Sequence, residues 1–384
     1  MKCVILVSHP IPYLIPLFQA LEEEKTIDSQ IWLNMDRGNK EFFDPDFNKN
    51  IKWDTNLTEG YKRRLLKNIS PNPSPSLFGQ INPEIIKLLL SNKRPDVLVL
   101  WGWNSLTHLI AIPIAKVMGV KLYLRAETTL EYETRLPFIK KIIKKNLLSI
   151  FFKLFTGFLY LGSQNFDFYR SMGIREKKLH LMPYCVHRYS SKMSSRKLQS
   201  IRRFIFVGKL SFKKRPDMVI DAFQTLNSQY PDLNLRLTIV GDGKMRKQIE
   251  AAADKDKSMH FHGFANQGEL EKIYQDHDVI ILPSDERETW GLVVNEALAN
   301  GLGAIASDRV GCQKDLIQND KNGKVFEYGN SRDLLNCMRL MATGKISTNQ
   351  IHKTNSALAK IYNHDFSAQA FIKAIKSTVT HIKG

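Results

Sequence analysis

Glu288 and Glu296 stand eight positions apart in the stretch Pro283 to Ser307, PSDERETWGLVVNEALANGLGAIAS, directly after the apolar run Val279–Leu282. The run reads as a buried parallel strand ending near Pro283, followed by a loop carrying Glu288 and a helix, Leu292 to Ala299, opened by Gly291 and bearing Glu296. Both carboxylates are then expected at the crevice beyond the strand's carboxyl end, where open α/β sheets bind ligands. The amides around Trp290, Gly291 and Leu292 at the helix start suit a phosphate. Carboxylates accept hydrogen bonds from hydroxyls, so the combination suits a ligand with polyol parts and a phosphate between them, such as a nucleotide-sugar. Two glutamates near a helix start can also serve the helix dipole alone, so the pair needs further motifs beside it.

Two such motifs precede it in order. The first, FVGKLSFKKRPDMVIDAF from Phe206 to Phe223, is a strand ending at Gly208, a basic loop and a helix. Gly208 allows close backbone approach, and Lys209 and Lys214 can close on a diphosphate and neutralise charge as it leaves. The second, IVGDGKMRKQIE from Ile239 to Glu250, places Gly241 and Gly243 after the next strand. No cluster has the spacing of metal ligands, and Cys3, Cys185, Cys312 and Cys337 are scattered, so neither a zinc site nor a disulfide framework is expected.

The elements that must hold these residues alternate in the manner of βαβ units. Strands are expected at Cys3–Val7, Ile31–Leu33, Val97–Trp101, Lys121–Arg125, Phe158–Leu161 and Leu179–Met182, with helices at Tyr13–Glu24, Pro83–Ser91, Ser105–Met118 and Gln164–Ser171. A polar stretch, Tyr189 to Ser200, interrupts the periodicity and reads as a linker. The pattern then restarts with strands at Arg203–Val207, Arg236–Val240, His260–His262, Val279–Leu282 and Gly303–Ala306, interleaved with helices. The 384 residues therefore divide into residues 1–188, a linker at 189–200 and residues 201–364, each part long enough for its own core, with 365–384 read as packing back on the first.

Taken together, the passages from residue 203 to 330 resemble the nucleotide-sugar domain of retaining glycosyltransferases of the group 1, or family-four, class. The resemblance implies the GT-B fold, two Rossmann-like doubly wound α/β domains facing across a cleft. It implies that Glu288 contacts the donor sugar and Glu296 the ribose hydroxyls, with Gly208, Lys209, Lys214, Gly241, Trp290, Gly291 and Leu292 completing the donor site. Lys209 stands where arginine is commoner, trading a bidentate contact for a point charge. Trp290 replaces a usual phenylalanine, and Gly303 a usual proline.

The first half resembles, more loosely, the acceptor domain of bacterial surface-polysaccharide and lipopolysaccharide members. SHPIPYLIPLFQALE from Ser8, WGWNSLTHLIA from Trp101, RAETT from Arg125 and MPYCVHRY from Met182 carry that likeness, with Ala126 in place of a glycine and His187 in place of an aspartate. It implies that His9, Arg125 and Glu127 line the catalytic cleft beside Glu288, Lys209 and Lys214. His108, by contrast, reads as a packed helix residue.

The implied activity is metal-independent, retaining sugar transfer from a nucleoside diphosphate, UDP- or GDP-linked, to a hydroxyl of a glycan or lipid-linked acceptor, with no cofactor. Net charge is +18, of which residues 1–200 hold +13, so an anionic membrane and nucleic acid both stay open as partners. FIKKIIKKNLLSIFFKLF, Phe138 to Phe155, puts Lys140, Lys141, Lys144 and Lys145 on one helical face and Ile139, Ile142, Ile143, Leu147, Ile150 and Leu154 on another. Such a helix can lie on an anionic membrane or be a core helix with a solvated lysine face. A cytoplasmic protein, peripheral at the inner face of the membrane, is expected. Three alternatives remain: sugar transfer to hydroxymethylated bases in DNA, another GT-B reaction such as sugar-nucleotide epimerisation or phosphorolysis, and non-catalytic sugar-nucleotide binding.

Overall fold

The computed structural model describes residues 1–39, 41–44, 47, 49–135, 137–186 and 200–377. His187 and all of the linker but Ser200 lie outside them. The chain packs as two compact units, Met1–Phe42 with Thr55–Cys185 and His364–Gly384, and Phe43–Asp54 with Val186–Asn363. A cut at the linker does not reproduce this division, because Phe43–Asp54 comes from the first half of the sequence and groups with the second unit.

Among the described residues of the first half, nine strands form: β1 (Lys2–Val7), β2 (Asp28–Leu33), β3 (Phe42–Asp44), β4 (Lys49–Ile51), β5 (Arg63–Leu65), β6 (Val97–Trp101), β7 (Lys121–Arg125), β8 (Gly157–Tyr160) and β9 (Leu179–Leu181). Seven of them form one sheet in the order β5-β2-β1-β6-β7-β8-β9, and β3 pairs with β4 separately. Every pairing in the large sheet is parallel. Strands such as CVILV and VLVL are apolar on both faces because helices cover both, and each of these residues is buried. Strand order reverses between β1 and β6, so the loops after these two strands diverge and leave a crevice there.

The second unit holds β10 (Arg203–Val207), β11 (Arg236–Val240), β12 (Met259–Gly263), β13 (Val279–Leu282), β14 (Gly303–Ser307) and β15 (Gly323–Phe326). They form a sheet in the order β12-β11-β10-β13-β14-β15, again parallel throughout. The reversal falls between β10 and β13, the strands that precede the Gly208–Lys214 loop and the Glu288 loop. Phe204, Phe206, Val279 and Ile281 from the two central strands meet Val219, Phe223, Leu334 and Met338 from covering helices in one core.

Helix His364–Ser377 completes the first unit. It buries Ala368, Phe371, Ile372, Ala374 and Ile375, its Ser367 Oγ donates to the Pro183 carbonyl at 2.8 Å, and Tyr123 Oη donates to the Ala374 carbonyl at 2.9 Å.

The basic helix runs from Phe138 to Phe152, shorter than the sequence pattern by one turn. Its inward stripe is Leu148, Phe151 and Phe152, which join the first unit's core. Ile139, Ile142, Ile143, Leu147 and Ile150 are exposed, so the reading of that stripe as a core face is overturned. Among the described residues no helix is long and apolar enough to cross a membrane.

Candidate functional site

In the second unit the loops after β10 and β13 close on each other through charge. Lys214 Nζ donates to Glu288 Oε2, and both side chains are largely buried. Glu288 is held by its backbone as well: its amide donates to the Asp285 carbonyl at 3.0 Å, and its carbonyl accepts from Gly311 at 3.0 Å. Gly311 must be glycine for this, since a Cβ there would lie 1.9 Å from the Thr289 carbonyl oxygen. Asp285 in turn donates its amide to the Lys213 carbonyl at 3.0 Å, which stitches the two loops together.

Gly208 and Gly241 make that closeness possible. Gly208 has φ 155°, a conformation side-chain residues rarely adopt, and a Cβ on Gly241 would fall 1.8 Å from the Gly208 carbonyl oxygen. The backbones after β10 and β11 therefore touch, and Lys209 is presented from the end of β10.

Gly291, at φ 102°, opens helix Leu292–Ala299, and no side chain caps that end. The Val294 amide turns back to the Gly291 carbonyl at 2.9 Å, and the positive end of the helix dipole lies at the start of this helix, three residues after Glu288. Trp290 is itself buried, its indole Nε1 donating to Asn295 Oδ1 at 2.7 Å and its ring 6.2 Å from that of Tyr362. Its side chain thus braces the helix start, and the backbone is the part suited to a ligand.

Glu296 sits one turn into the helix and is 8% exposed. Tyr274 Oη donates to its Oε2 at 2.9 Å. Burial pushes its carboxyl up to about 7, and the tyrosine only partly opposes that. Ser211 and Ser284, in the loops after β10 and β13, each hold a buried hydroxyl with no partner among the described residues.

The first unit arranges its residues differently. His9 follows β1 at that sheet's crevice, its Nδ1 2.8 Å from Ser8 Oγ, and burial beside Arg37 lowers its pKa to about 4. Arg125 ends β7 and is 1% exposed, its guanidinium 4.3 Å from the centre of the Trp101 ring and 4.5 Å from that of Tyr184. Its Nε and Nη1 have no hydrogen-bond partner among the described residues. Tyr184 Oη also donates to Glu127 Oε1 and lies 3.4 Å from Tyr13 Oη. Arg125, Glu127 and Tyr184 form one cluster, with Tyr13 at its edge. His108 is buried, paired with Ser105 Oγ, and its pKa falls to about 4; it is packed as its sequence context suggests.

Sequence reasoning missed Tyr274, Gly311, Tyr13 and the role of Tyr184. Tyr274 stands 22 positions before its carboxylate partner, and Tyr184 stands 57 after its own. No local pattern links residues so far apart.

Comparison with known proteins bears on the same region. The family described as "Glycosyl transferases group 1" matches residues 192–357. Over that stretch the chain is similar to group 1 glycosyltransferases. The sulfoquinovosyl transferase of Arabidopsis thaliana is 29% identical over 177 residues, 43% of this chain and 33% of that protein. An N-acetylgalactosaminyltransferase of Campylobacter jejuni that acts on N,N'-diacetylbacillosaminyl-diphospho-undecaprenol is 22% identical over 63% of this chain and 66% of its own length. The chain spans only about a third of the length of the first curated relatives it matches. Among solved structures, Anabaena HepE in complex with UDP superposes with TM-score 0.70 at 15% identity, over 98% of this chain and 100% of that one. The lipopolysaccharide outer core galactosyltransferase WaaB does so with TM-score 0.70 at 16% identity and the same coverage. The fold is GT-B, built from two Rossmann-like doubly wound units.

Proposed function

We propose that this group 1 glycosyltransferase moves a sugar from a nucleoside diphosphate to a hydroxyl of a membrane-linked glycan, with retention and without a metal. The observation that carries the reading is the Lys214–Glu288 pair across the strand-order reversal, next to an uncapped helix start and the buried Glu296. Lys214, Lys209 and the first amides of the helix suit the diphosphate. Glu288 suits the sugar hydroxyls, and Glu296 the ribose hydroxyls.

In the reaction the anomeric carbon–oxygen bond to the phosphate breaks, and its electron pair leaves with the diphosphate, whose charge the lysines and amides take up. The acceptor oxygen bonds to the same face of the oxocarbenium-like carbon, and the departing phosphate oxygen receives its proton. No carboxylate is needed as a covalent nucleophile. His9, neutral above about pH 4, and the Arg125–Glu127 pair are assigned to the acceptor side.

The exposed apolar stripe of helix Phe138–Phe152 supports a membrane-linked acceptor. It is bordered by four lysines, and the helix contains no acidic residue. An anionic lipid surface matches both features.

A panel of UDP-, GDP- and ADP-sugars, read by thermal shift and donor hydrolysis, tests the donor site. HepE has been solved with UDP-glucose, which makes that donor a natural first member. NMR of the product's anomeric carbon tests retention, and activity in EDTA tests metal independence. Binding of no nucleoside diphosphate, inverted product or an absolute requirement for magnesium or manganese would each overturn the corresponding part.

A further inference from the structure

The segment Phe43–Asp54 belongs by sequence to the first half and by packing to the second unit. It crosses the sheet's carboxyl edge at two places. Near β12, Phe47 meets the ring of Phe264 edge-on at 5.3 Å, Lys49 Nζ lies 4.3 Å above that same ring, and Asp54 Oδ2 accepts from the Gly268 amide at 3.0 Å. Near β10, both carboxylate oxygens of Asp44 lie 3.3 Å from Lys209 Nζ, and that ammonium is also 4.7 Å from the centre of the Phe47 ring.

We propose that Asp44 is a resident counter-ion of the donor site, holding Lys209 until the diphosphate of an arriving nucleotide replaces it. The inference rests on the reading of Lys209 as a diphosphate-binding cation. Lys209 and Asp44 side chains are 26% and 16% exposed, and ion pairs still in contact with water are individually weak. A diphosphate carries more charge than one carboxylate and presents several oxygens, so it competes well for the same ammonium. Phe47 and the Phe264 loop keep the carboxylate close by, which makes displacement local and reversible. The consequence is selectivity for phosphate-bearing ligands. A bare nucleoside cannot displace Asp44, whereas a nucleoside diphosphate can, at a cost in affinity equal to breaking the resident pair.

Calorimetric titration of the full chain with UDP and with uridine tests this. Asp44→Asn should bind UDP roughly three- to tenfold more tightly than the wild type and uridine equally well. In a Lys209→Ala background the same change should have no effect on UDP. If Asp44→Asn does not fold, Asp44→Ser removes the same carboxylate and carries the same expectation. A variant that melts like the wild type yet binds UDP no more tightly, or gains as much with Lys209 absent, overturns the proposal. Failure of the wild type to bind either UDP or GDP would instead overturn the assignment of Lys209 and the proposal with it.

Discussion

At the crevice of the second sheet a lysine and a glutamate meet directly, Lys214 on Glu288, whereas in the first unit Arg125 is laid between two aromatic rings and His9 is held neutral. Both arrangements grow from the same device, a parallel sheet whose strand order reverses, with loops diverging at the reversal. They differ in what holds the charge. A salt bridge can exchange its partner for a ligand group of the same sign, which suits a site that must take up and release a diphosphate. A guanidinium stacked between Trp101 and Tyr184 is fixed by packing, which suits a rigid floor. On the proposed reading, the second unit suits exchange and the first orientation.

Removing Glu288 is the most severe way to break that contrast. Glu288→Ala should lower kcat roughly 100-fold or more, the scale expected when an electrostatic partner of the reacting group is lost. UDP affinity, measured separately, should move far less. Equal losses in both would return Glu288 to a purely structural role.

Glu296 sharpens the comparison, because it is a buried carboxylate with a neutral partner rather than a lysine. Glu296→Ala should weaken donor binding by about 1.5–3 kcal/mol, the value of a hydrogen bond to a charged acceptor. Its raised pKa also gives a sign to pH effects. If Glu296 holds the ribose hydroxyls as proposed, protonation below about 7 removes their acceptor, and wild-type donor affinity should fall between pH 8 and 6. Stability moves oppositely. A carboxyl raised from 4.5 to about 7 on folding contributes stability that is present below 4.5 and lost as pH rises through 7. Glu296→Gln should flatten both dependences, as isothermal titration and thermal melts across pH would reveal.

The lysines of helix Phe138–Phe152 set an effect in the first unit that bears on lipid binding and not on turnover. Each lysine near an anionic surface contributes about 1 kcal/mol. Lys144 is already engaged, its Nζ 2.6 Å from the buried Glu133, so the sum is reduced. Changing Lys140, Lys141, Lys144 and Lys145 to glutamine should weaken partitioning onto anionic vesicles roughly 100-fold, as about 3 kcal/mol for the three remaining lysines implies, and leave UDP binding intact. Unchanged sedimentation would sink the lipid reading, and loss of duplex DNA binding and of DNA glycosylation in its place would favour a nucleic-acid acceptor.

The smallest change is expected at His9. Because its pKa is lowered to about 4, kcat at saturating donor and acceptor should show no titration of this residue near its ordinary value of 6.5. His9→Gln should leave the shape of the pH profile unaltered, with kcat changed by roughly threefold at most. A limb near pH 6.5 that vanishes in the variant would show His9 cycling its proton.

Much of the fold was legible because buried parallel strands are written as short apolar runs. CVILV, VLVLW, RFIFV and VIIL each mark a strand, and the helices between them follow the apolar period. Strand β5 escaped because RRL is an exposed edge with no such run, and β15 because GKVF mixes a glycine and a lysine into four residues. The paired glutamates, the lysines and the glycines announced themselves by spacing along the chain. Asp44 could not, for its lysine lies 165 positions away and only packing brings them together. The apolar stripe of the basic helix was ambiguous for a different reason: periodicity shows that a face exists but not which way it points, and here it points outward.

The closing helix His364–Ser377 gives the molecule a timetable. Its partners Tyr123 and Pro183 are made early, but about 180 residues of the second unit are translated before it. At the usual 5–20 residues per second, the first sheet waits on the order of ten to forty seconds for the piece that covers it. During that interval the apolar surface later met by Phe371, Ile372 and Ile375 stands open to other chains. The same surface is exposed again in any protein truncated before His364, and such a truncation should aggregate through its first unit even though the stretch that matches the glycosyltransferase family is whole.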